Sequence, residues 1–366
     1  MKLAFVYDRL NKIGGAEYVL QELAALYPEA DWYTSVWDPA EAPFSRFWRV
    51  HPSFLNRVSF LRTRHEWVPY LMPFAFESFD FSGYDIVVSV TSAEAKGIIT
   101  RPGTLHLCYC LTPTRYLYSD RSTYLHDPLS RYVAGLLQKW DQVASTRPDE
   151  MIAISEHVKK RIKKYYNRDS VVIYPPVDTK KFSQTATLQH CNTGLLTKNN
   201  YFLSVSRLVP SKRVDLLVDA FNQSGDRLVI VGTGVEAARL RRQAKSNIFF
   251  AGRVSDEALV AYYQYCQAYV TAAEEDFGIS IAEAQAAGKP VLSFAGGGAS
   301  EIVRHGQTGI LVNYQSAEGI VSGLAELKSK QNLFTSQACR QNAARFDKVV
   351  WREKMQQRIE NVWKSL

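Results

Sequence analysis

One stretch of the sequence combines residue types that bind anions and hydroxyl groups. It reads Ala-Ala-Glu-Glu-Asp-Phe-Gly-Ile-Ser-Ile-Ala-Glu over residues 272–283. Apolar residues of strand length precede this acidic loop, and a helical pattern follows Gly278. The N–H groups of a helix's first turn have no partner within the helix, and the helix dipole also favours an anion there. We therefore predict an anion site at Ile279, Ser280 and Ile281.

Two glutamates flank this predicted site. Glu275 precedes the helix and can reach hydroxyl groups on whatever is attached to the anion. Glu283 lies about one turn into the helix, where a carboxylate can accept hydrogen bonds from a ribose diol. The plainer alternative is that both acids only interact with the helix dipole, which is worth ~0.3–1 kcal/mol for each charge.

The glutamate pair belongs to a longer string of motif residues. The string is Glu275-x7-Glu283 with Phe277-Gly278 inside it, continuing as Glu283-Ala284-x-Ala286-x-Gly288-x-Pro290-Val291. It resembles the signature of the retaining glycosyltransferases of family 4. A bare glutamate pair is weak evidence, whereas the extended string is specific. The resemblance implies the GT-B fold, in which two Rossmann-like, doubly wound α/β domains face a cleft that holds a sugar nucleotide.

Further motifs resemble the family in the same order along the chain. The pair Gly14-Gly15 resembles the glycines that approach the donor phosphates and the acceptor. The segment 206–213 resembles the one whose arginine and lysine bind the diphosphate, which gives that role to Arg207 and Lys212. The resemblance also implies donor-binding roles for residues in later loops. They are Gly232 in the next βα turn, Arg253 and Val254 in the loop beside the base, and Phe277 and Gly278 in the acidic loop.

The chemistry implied by the resemblance needs no metal and no cofactor. Arg207, Lys212 and the helix start stabilise the leaving diphosphate, and we see no DxD carboxylate pair in a plausible place for a metal. Glu275 holds the donor sugar by its hydroxyl groups. The acceptor hydroxyl attacks from the leaving-group face, which retains the configuration and gives an α-linkage.

One position departs from the family pattern. Many members carry His-Thr-Pro after the strand predicted at Leu105–Cys110, with the histidine near the reacting sugar, whereas this chain has Leu111 in its place. His106 lies inside the strand, where we expect it to pack rather than substitute. The change is expected to alter acceptor choice, to lower donor hydrolysis or to reduce activity, and we assign no catalytic histidine.

The resemblance leaves several substrates open. Family frequency favours a UDP-sugar donor, with UDP-glucose first and GDP-mannose as the alternative. The expected acceptor is a saccharide or lipid-linked saccharide in cell-surface polysaccharide biosynthesis. Other interpretations are a GT-B sugar-nucleotide epimerase and a sugar-nucleotide-binding protein without transferase activity, with Leu111 as the lesion. Nucleic-acid binding is disfavoured, because the cations are dispersed and no reader motif is present.

Strand-length apolar runs alternate with helical stretches, which is typical of parallel sheets covered by helices. The pattern restarts after a loop-like stretch at Gln184–Asn200. We therefore predict two Rossmann-like domains, over 1–175 and 176–347, and the resemblance implies that the first binds the acceptor and the second the sugar nucleotide. A C-terminal helix is predicted over 348–366 that can pack on either domain, including by crossing back to the first.

The composition fits two ordinary domains of a cytoplasmic protein. The chain has 366 residues, and no stretch approaches the ~20 apolar residues of a membrane-spanning helix. Residues 1–8 lack the pattern of a signal peptide. The five cysteines form no CxxC pair, so reduced thiols are expected rather than disulfides or a zinc site. The net charge of +8 suits phosphate-bearing molecules, nucleic acid or an anionic membrane.

The segment Phe44–Trp67 interleaves arginines with aromatic residues and has Glu66 as its only acid. Such a composition is typical of peripheral binding to an anionic membrane, here the cytoplasmic face of the inner membrane. The alternative is that the aromatic residues pack inside the domain while the arginines are merely solvated. A second basic run, Lys159–Arg168, follows Ser155 as a predicted helix N-cap and is interpreted mainly as a solvated face.

Overall fold

The computed structural model describes residues 1–12, 14–121, 127–184 and 200–364. Backbone contacts divide the chain into two compact units. The first contains Met1–Pro176 together with the chain from Trp351 onward, and the second contains Val177–Val350. Each unit is a parallel sheet covered by helices.

The sheet of the first unit has the order β3-β2-β1-β4-β5-β6-β7. Its strands are β1 Leu3–Tyr7, β2 Asp31–Thr34, β3 Arg49–Pro52, β4 Ile86–Thr91, β5 Leu105–Cys110, β6 Glu150–Ala153 and β7 Val171–Val172. Its helices are α1 Ala16–Leu26, α2 Ser59–Arg64, α3 Met72–Glu77, α4 Pro128–Ala144 and α5 Glu156–Tyr166. After β1 the chain adds β2 and β3 on one side of that strand, and β4 is then added on its other side. The sheet therefore has a topological switch point between β1 and β4.

The sheet of the second unit has the order β10-β9-β8-β11-β12-β13, with a switch point between β8 and β11. Its strands are β8 Phe202–Val205, β9 Leu228–Val231, β10 Ile248–Gly252, β11 Tyr269–Thr271, β12 Val291–Phe294 and β13 Gly309–Val312. Its helices are α6 Thr179–Ser183, α7 Val214–Ser224, α8 Ala237–Gln243, α9 Asp256–Tyr265, α10 Ile279–Ala286, α11 Ala299–Ile302, α12 Ala317–Ser329 and α13 Ser336–Ala343. The last helix, α14 Lys348–Trp363, starts in this unit and groups with the first unit from Trp351.

Buried apolar strands form the core of each unit. Every residue of β1 and of β4 is buried, as expected for central strands covered by helices on both faces. The predicted N-cap at the start of α5 is confirmed, because Ser155 accepts a hydrogen bond from the Val158 N–H at 3.0 Å. The predicted loop at Gln184–Asn200 lies almost entirely outside the described residues.

The segment Phe44–Trp67 is not one continuous amphipathic helix. It contains β3, short 3-10 turns and α2. Some of its aromatic residues pack inside the unit, as Trp48 does by stacking on Trp32 at 4.4 Å between ring centroids. Others lie at the surface, where Phe47 is 93% exposed and Trp67 is 64% exposed. Among the described residues, no helix is long and apolar enough to cross a membrane.

Four of the five cysteines lie within the described residues, and all four are buried free thiols. Cys108 and Cys110 lie two residues apart in β5. Burial raises the pKa of the Cys108 thiol to about 11, so this sulfur stays protonated at neutral pH. The fifth, Cys191, lies outside the described residues.

Candidate anion and sugar site

The central feature of the second unit's site is an ion pair at the switch point of its sheet. Lys212 lies in the loop after β8, and Glu275 lies in the loop after β11. The Lys212 Nζ donates to both carboxylate oxygens of Glu275, at 2.7 Å and 2.6 Å. The fold thus brings together two of the three predicted catalytic residues, at the sheet edge where parallel α/β proteins bind ligands.

The third predicted catalytic residue, Arg207, lies in the same loop as Lys212. Its side chain is exposed and makes no hydrogen bond or ion pair with any described residue. Backbone bonds fix the loop around it, because the Leu208 N–H donates to the Thr233 carbonyl at 2.8 Å. The backbone at Arg207 is therefore held at the sheet edge, while its guanidinium is free to bind an anion.

Glycine 232 allows this loop and the next one to pack closely. Gly232 has a φ of +133°, and a Cβ there would lie 1.9 Å from the Ser206 carbonyl oxygen. Its N–H donates to the Gly252 carbonyl at 2.8 Å, which joins the loop to the one that begins with Arg253 and Val254. Gly232 therefore acts through backbone packing, while the exposed Arg253 side chain has no described partner.

The loop that carries Glu275 rests on a second glycine cluster. A Cβ at Gly297 would lie 2.2 Å from the Glu275 carbonyl oxygen, and the Gly298 N–H donates to that same oxygen at 2.7 Å. Phe277 is buried and meets Phe346 edge-on at 5.2 Å between centroids. The Phe277 side chain thus anchors the loop in the core, so its ring is not the part of Phe277 that would make the predicted donor contact.

The start of α10 supplies two free N–H groups rather than the three predicted. The N–H groups of Ile279 and Ser280 have no acceptor among the described residues. The Ile281 N–H already donates to the Gly278 carbonyl at 3.0 Å, so the prediction that it is free was wrong. The helix can begin this abruptly because Gly278 adopts a φ of +103°, a conformation that disfavours other residues.

Glu283, predicted to bind a ribose, is buried inside the same helix. Its carboxylate accepts a hydrogen bond from the Tyr263 hydroxyl at 2.9 Å. Burial raises the pKa of the Glu283 carboxyl from its ordinary value to about 7, against the opposing effect of the tyrosine hydrogen bond. Tyr263 had not been predicted, because it comes from α9, and no sequence pattern links the two positions.

A buried polar cluster, also absent from the sequence prediction, holds α10 against its neighbours. The Gln285 side-chain amide donates to the Thr308 hydroxyl at 2.9 Å. Asn342 of α13 donates to the Gln285 oxygen at 2.5 Å and to the Ile302 carbonyl at 2.6 Å. These side chains position the helix start without contacting a ligand themselves.

The remaining predicted site residues lie in the first unit. Gly14 and Gly15 come directly before α1, and a Cβ at Gly14 would lie 3.1 Å from a carboxylate oxygen of Glu17. Leu111, which replaces the family histidine, is buried at the end of β5. His106 is fully buried and bonds the Ser89 hydroxyl at 2.8 Å, so it packs within the sheet as expected.

Two doubly wound parallel sheets, one of them followed by a helix whose first N–H groups lack acceptors among the described residues, define a protein of the GT-B class. Two family profiles match the chain in order: "Glycosyltransferase Family 4" over residues 13–181 and "Glycosyl transferases group 1" over residues 187–346. The chain belongs to the glycosyltransferases of family 4. The recognition made from its motifs is confirmed.

Curated relatives are similar over part of their length. A GDP-mannose-dependent α-(1-6)-phosphatidylinositol monomannoside mannosyltransferase from Mycobacterium tuberculosis is 29% identical over 49% of this chain and 52% of its own. The D-rhamnosyltransferase WbpZ from Pseudomonas aeruginosa is 35% identical over 41% of this chain and 42% of its own. The chain thus spans about half the length of these relatives.

Solved structures match over nearly the whole chain. Sucrose-phosphate synthase from Thermosynechococcus elongatus matches with a TM-score of 0.79 and 18% identity, covering all of both chains. The Anabaena protein HepE, solved in complex with UDP-glucose, matches with a TM-score of 0.73 and 20% identity, covering 99% of this chain and 100% of its own. These matches confirm the predicted two-domain α/β GT-B fold.

Proposed function

We propose that this protein is a retaining glycosyltransferase. It moves a hexose from a nucleoside diphosphate sugar to a saccharide or lipid-linked saccharide acceptor in polysaccharide biosynthesis. The observation that carries the proposal is the Lys212–Glu275 ion pair at the switch point. Glu275 shortly precedes Ile279 and Ser280, whose N–H groups have no acceptor among the described residues. A cation, two backbone donors and a carboxylate suit a ligand that joins a diphosphate to a sugar.

Each group has a distinct part in the transfer. The bond between the anomeric carbon and the diphosphate oxygen breaks, and the diphosphate leaves with the electron pair. Arg207, Lys212 and the start of α10 stabilise that growing negative charge. Glu275 holds the sugar hydroxyl groups and fixes the orientation of the reacting carbon. The acceptor hydroxyl bonds the same face of that carbon, and its proton passes to a diphosphate oxygen, which yields an α-linkage.

Metal independence is part of the proposal. Arg207 and Lys212 are fixed cations that can take over the role that a divalent ion plays with other diphosphates. Among the residues that the structure describes, no group of three or more His, Cys, Asp or Glu side chains is arranged to hold a metal. A transfer rate that is unchanged by EDTA is expected. A rate that disappears and returns with Mg²⁺ would contradict this part.

UDP-glucose and GDP-mannose are the two candidate donors. The sequence prediction placed UDP-glucose first on family frequency. The curated relatives favour GDP-mannose as the donor, because the mycobacterial relative that is 29% identical is named as a GDP-mannose-dependent enzyme. The base contacts are proposed to come from Arg253 and Val254, after β10.

The proposed place of action is the cytoplasmic face of a membrane. An exposed cluster consists of Phe60 and Trp67, which meet edge-on at 5.3 Å, and Arg64, whose guanidinium lies 6.0 Å and 5.5 Å from their rings. Exposed aromatic rings beside a cation match the interfacial region of an anionic bilayer. Peripheral attachment of this kind would bring the protein to a lipid-linked acceptor.

The test is a donor panel measured with the full chain in the absence of metal. Binding and slow hydrolysis of UDP-glucose, GDP-mannose and the bare nucleoside diphosphates are compared between the wild type and Glu275→Ala. We expect one sugar nucleotide to bind and turn over. The variant is expected to bind the bare diphosphate while losing discrimination between sugars. If no nucleotide binds the wild type at any concentration, the proposed function is wrong.

A further inference from the structure

The first unit has a polar cluster that the proposed donor chemistry does not use. It lies at the switch point between β1 and β4, at the carboxyl edge of the sheet. Asp8 joins the two loops there, because its carboxylate accepts hydrogen bonds from the Thr91 hydroxyl at 2.8 Å and from the N–H groups of Ser92 at 2.7 Å and Ala95 at 2.9 Å. The loop after β4 is thereby fixed, and with it Glu94.

Glu94 is a buried carboxyl that is only half satisfied. Its Oε1 accepts a hydrogen bond from the Tyr116 hydroxyl at 2.7 Å, and the residue is 4% exposed. Its Oε2 is the only buried carboxylate oxygen among the described residues that has no hydrogen-bond partner. Leaving such an oxygen unpaired costs about 1–3 kcal/mol or more, which the fold tolerates most readily where a ligand supplies the missing donor.

A second polar group is available beside this carboxyl. The charge of Arg9, which follows β1, acts on Glu94. The Arg9 Nη1 bonds the His65 ring at 3.1 Å, and its other guanidinium nitrogens bond no described residue. Arg9 and Tyr116 are each half-buried, so part of each side chain is open to a ligand.

The surrounding charges favour a neutral ligand. Lys96, the other cation that acts on Glu94, is paired with Asp141 at 2.5 Å, and both are buried. The charge of Asp8 is the strongest acting on Arg9. Burial and the charge of Asp8 raise the pKa of the Glu94 carboxyl, while Arg9 and Lys96 each have an acidic neighbour, so the surroundings of Glu94 offer an ionic ligand no uncompensated opposite charge. Hydroxyl groups, which both donate and accept, suit a carboxyl oxygen beside guanidinium N–H groups.

We propose that Glu94 binds a hydroxyl group of a neutral saccharide acceptor, with Arg9 donating to an oxygen of the same ligand. This inference rests on the proposed function for the idea that the acceptor is a saccharide. It assigns to the first unit a specificity-determining residue that the sequence motifs did not reveal.

The test measures saccharide binding directly, by saturation-transfer NMR on the full chain. The probes are methyl α-D-glucopyranoside, methyl α-D-mannopyranoside and maltose, with glucose 6-phosphate as the anionic comparison, each with and without UDP or GDP. We expect a neutral probe to bind more tightly than glucose 6-phosphate. Glu94→Leu should weaken that binding about tenfold or more, and Glu94→Gln, which keeps one oxygen, should stay within about threefold of the wild type.

The matched control is Glu77→Leu. Glu77 is a carboxyl of the same unit whose Oε1 is already satisfied by Arg147 at 2.6 Å and Trp140 at 2.7 Å, so its loss should not change saccharide binding. Far-UV circular dichroism and thermal unfolding of every variant check that the first unit is folded, and nucleotide binding checks the second. The inference is overturned if no neutral probe binds the wild type, if Glu94→Leu binds as well as the wild type, or if glucose 6-phosphate binds best. Normal nucleotide binding in those cases leaves the proposed function standing.

Discussion

Lys212 and Glu275 neutralise each other in the absence of a ligand, and this pairing affects which ligand binds. A bare diphosphate must draw Lys212 away from Glu275 and gives the carboxylate nothing in return. An intact sugar nucleotide offers sugar hydroxyl groups to Glu275 at the same time as phosphate oxygens to Lys212. In the proposed function, the pair therefore favours the donor over the nucleoside diphosphate product.

Replacing Glu275 with glutamine should strengthen the binding of the product. We expect bare UDP or GDP to bind Glu275→Gln about fivefold more tightly, on the order of 1 kcal/mol, because Lys212 no longer has to leave a carboxylate. Transfer of the sugar should fall. Isothermal titration calorimetry measures the affinity, with Asp215→Asn as the control, since Asp215 pairs with Arg213 at 3.2 Å. An unchanged affinity in Glu275→Gln would show that the carboxylate does not compete.

Glu283 should make the stability of the chain depend on pH. Burial raises the pKa of its carboxyl to about 7 in the folded state, whereas the unfolded chain has the ordinary value of 4.5. Between pH 4.5 and pH 7, the folded state therefore binds more protons than the unfolded state. The stability that the protonated carboxyl gives is fully present below about pH 4.5 and is lost as the pH rises through about 7. Relative to Glu283→Gln, the wild type should lose about 3 kcal/mol of unfolding free energy between pH 4.5 and pH 8.

Denaturation by guanidinium chloride at several pH values, followed by tryptophan fluorescence, measures this difference. His106 has the opposite effect on stability, because burial lowers its pKa to about 3. The difference between the wild type and Glu283→Gln cancels this effect, since both proteins contain His106. A constant difference across the range would mean that Glu283 ionises as it does in water.

Residue types and spacing predicted Glu275, Glu283 and the start of α10 as members of the candidate site. They could do so because an acidic loop followed by glycine and a helical pattern has few other structural interpretations. They did not predict Tyr263 or Glu94, whose importance comes from partners that are distant in sequence. The Ile281 N–H was wrongly predicted to be free, because the bond to Gly278 depends on the exact geometry of the first turn.

At the scale of elements, the loops after β11 and β12 must pack without side chains between them. Gly297 is the clearest case, with a φ of +69° and a virtual Cβ 2.2 Å from the Glu275 carbonyl oxygen. Because that neighbour is backbone, a methyl group can be accommodated only by moving the loop that carries Glu275.

The variant Gly297→Ala should therefore lose donor affinity, about tenfold or more, as well as stability. Its control is Gly306→Ala, which has a similar φ of +76° but open space around its Cβ position. The control should lose about 1–2 kcal/mol of stability through backbone strain, with unchanged donor affinity. Thermal unfolding and calorimetric titration of a sugar nucleotide measure both quantities. Equal affinity in the two variants would mean that the glycine contact does not position the site.

The strand that the sequence predicted best is β5, which has the predicted bounds Leu105–Cys110 and is buried in all but its first residue. Three strands, β2, β3 and β13, had not been predicted. β2 is a four-residue strand whose buried and half-buried residues alternate, and β3 is a polar edge strand, Arg-Val-His-Pro, that ends in proline. Strands this short carry too little hydrophobic pattern to be recognised locally, and only pairing with a neighbouring strand defines them, β2 with β1 and β3 with β2.

At the scale of the whole molecule, the net charge of +8 is spread over two units with different tasks. Arg207, Lys212 and Arg253 serve the anion site of the second unit in the proposed function. The cluster of Phe60, Arg64 and Trp67 is a surface feature of the first unit with no part in that site. In the proposed function, charge attracts the whole chain to an anionic membrane and these apolar rings attach it there.

Vesicle sedimentation separates the two contributions. We expect binding to vesicles that contain anionic lipid, weak binding to neutral ones, and a decrease with salt because the charge contribution is screened. Phe60→Ala combined with Trp67→Ala should reduce binding about tenfold at low salt, since the two rings together supply on the order of 1–2 kcal/mol of interfacial burial. Tyr314→Ala, which removes a 77% exposed ring from the second unit, is the control. If both variants bind as the wild type does, charge alone attracts the protein and the aromatic cluster is not a membrane anchor.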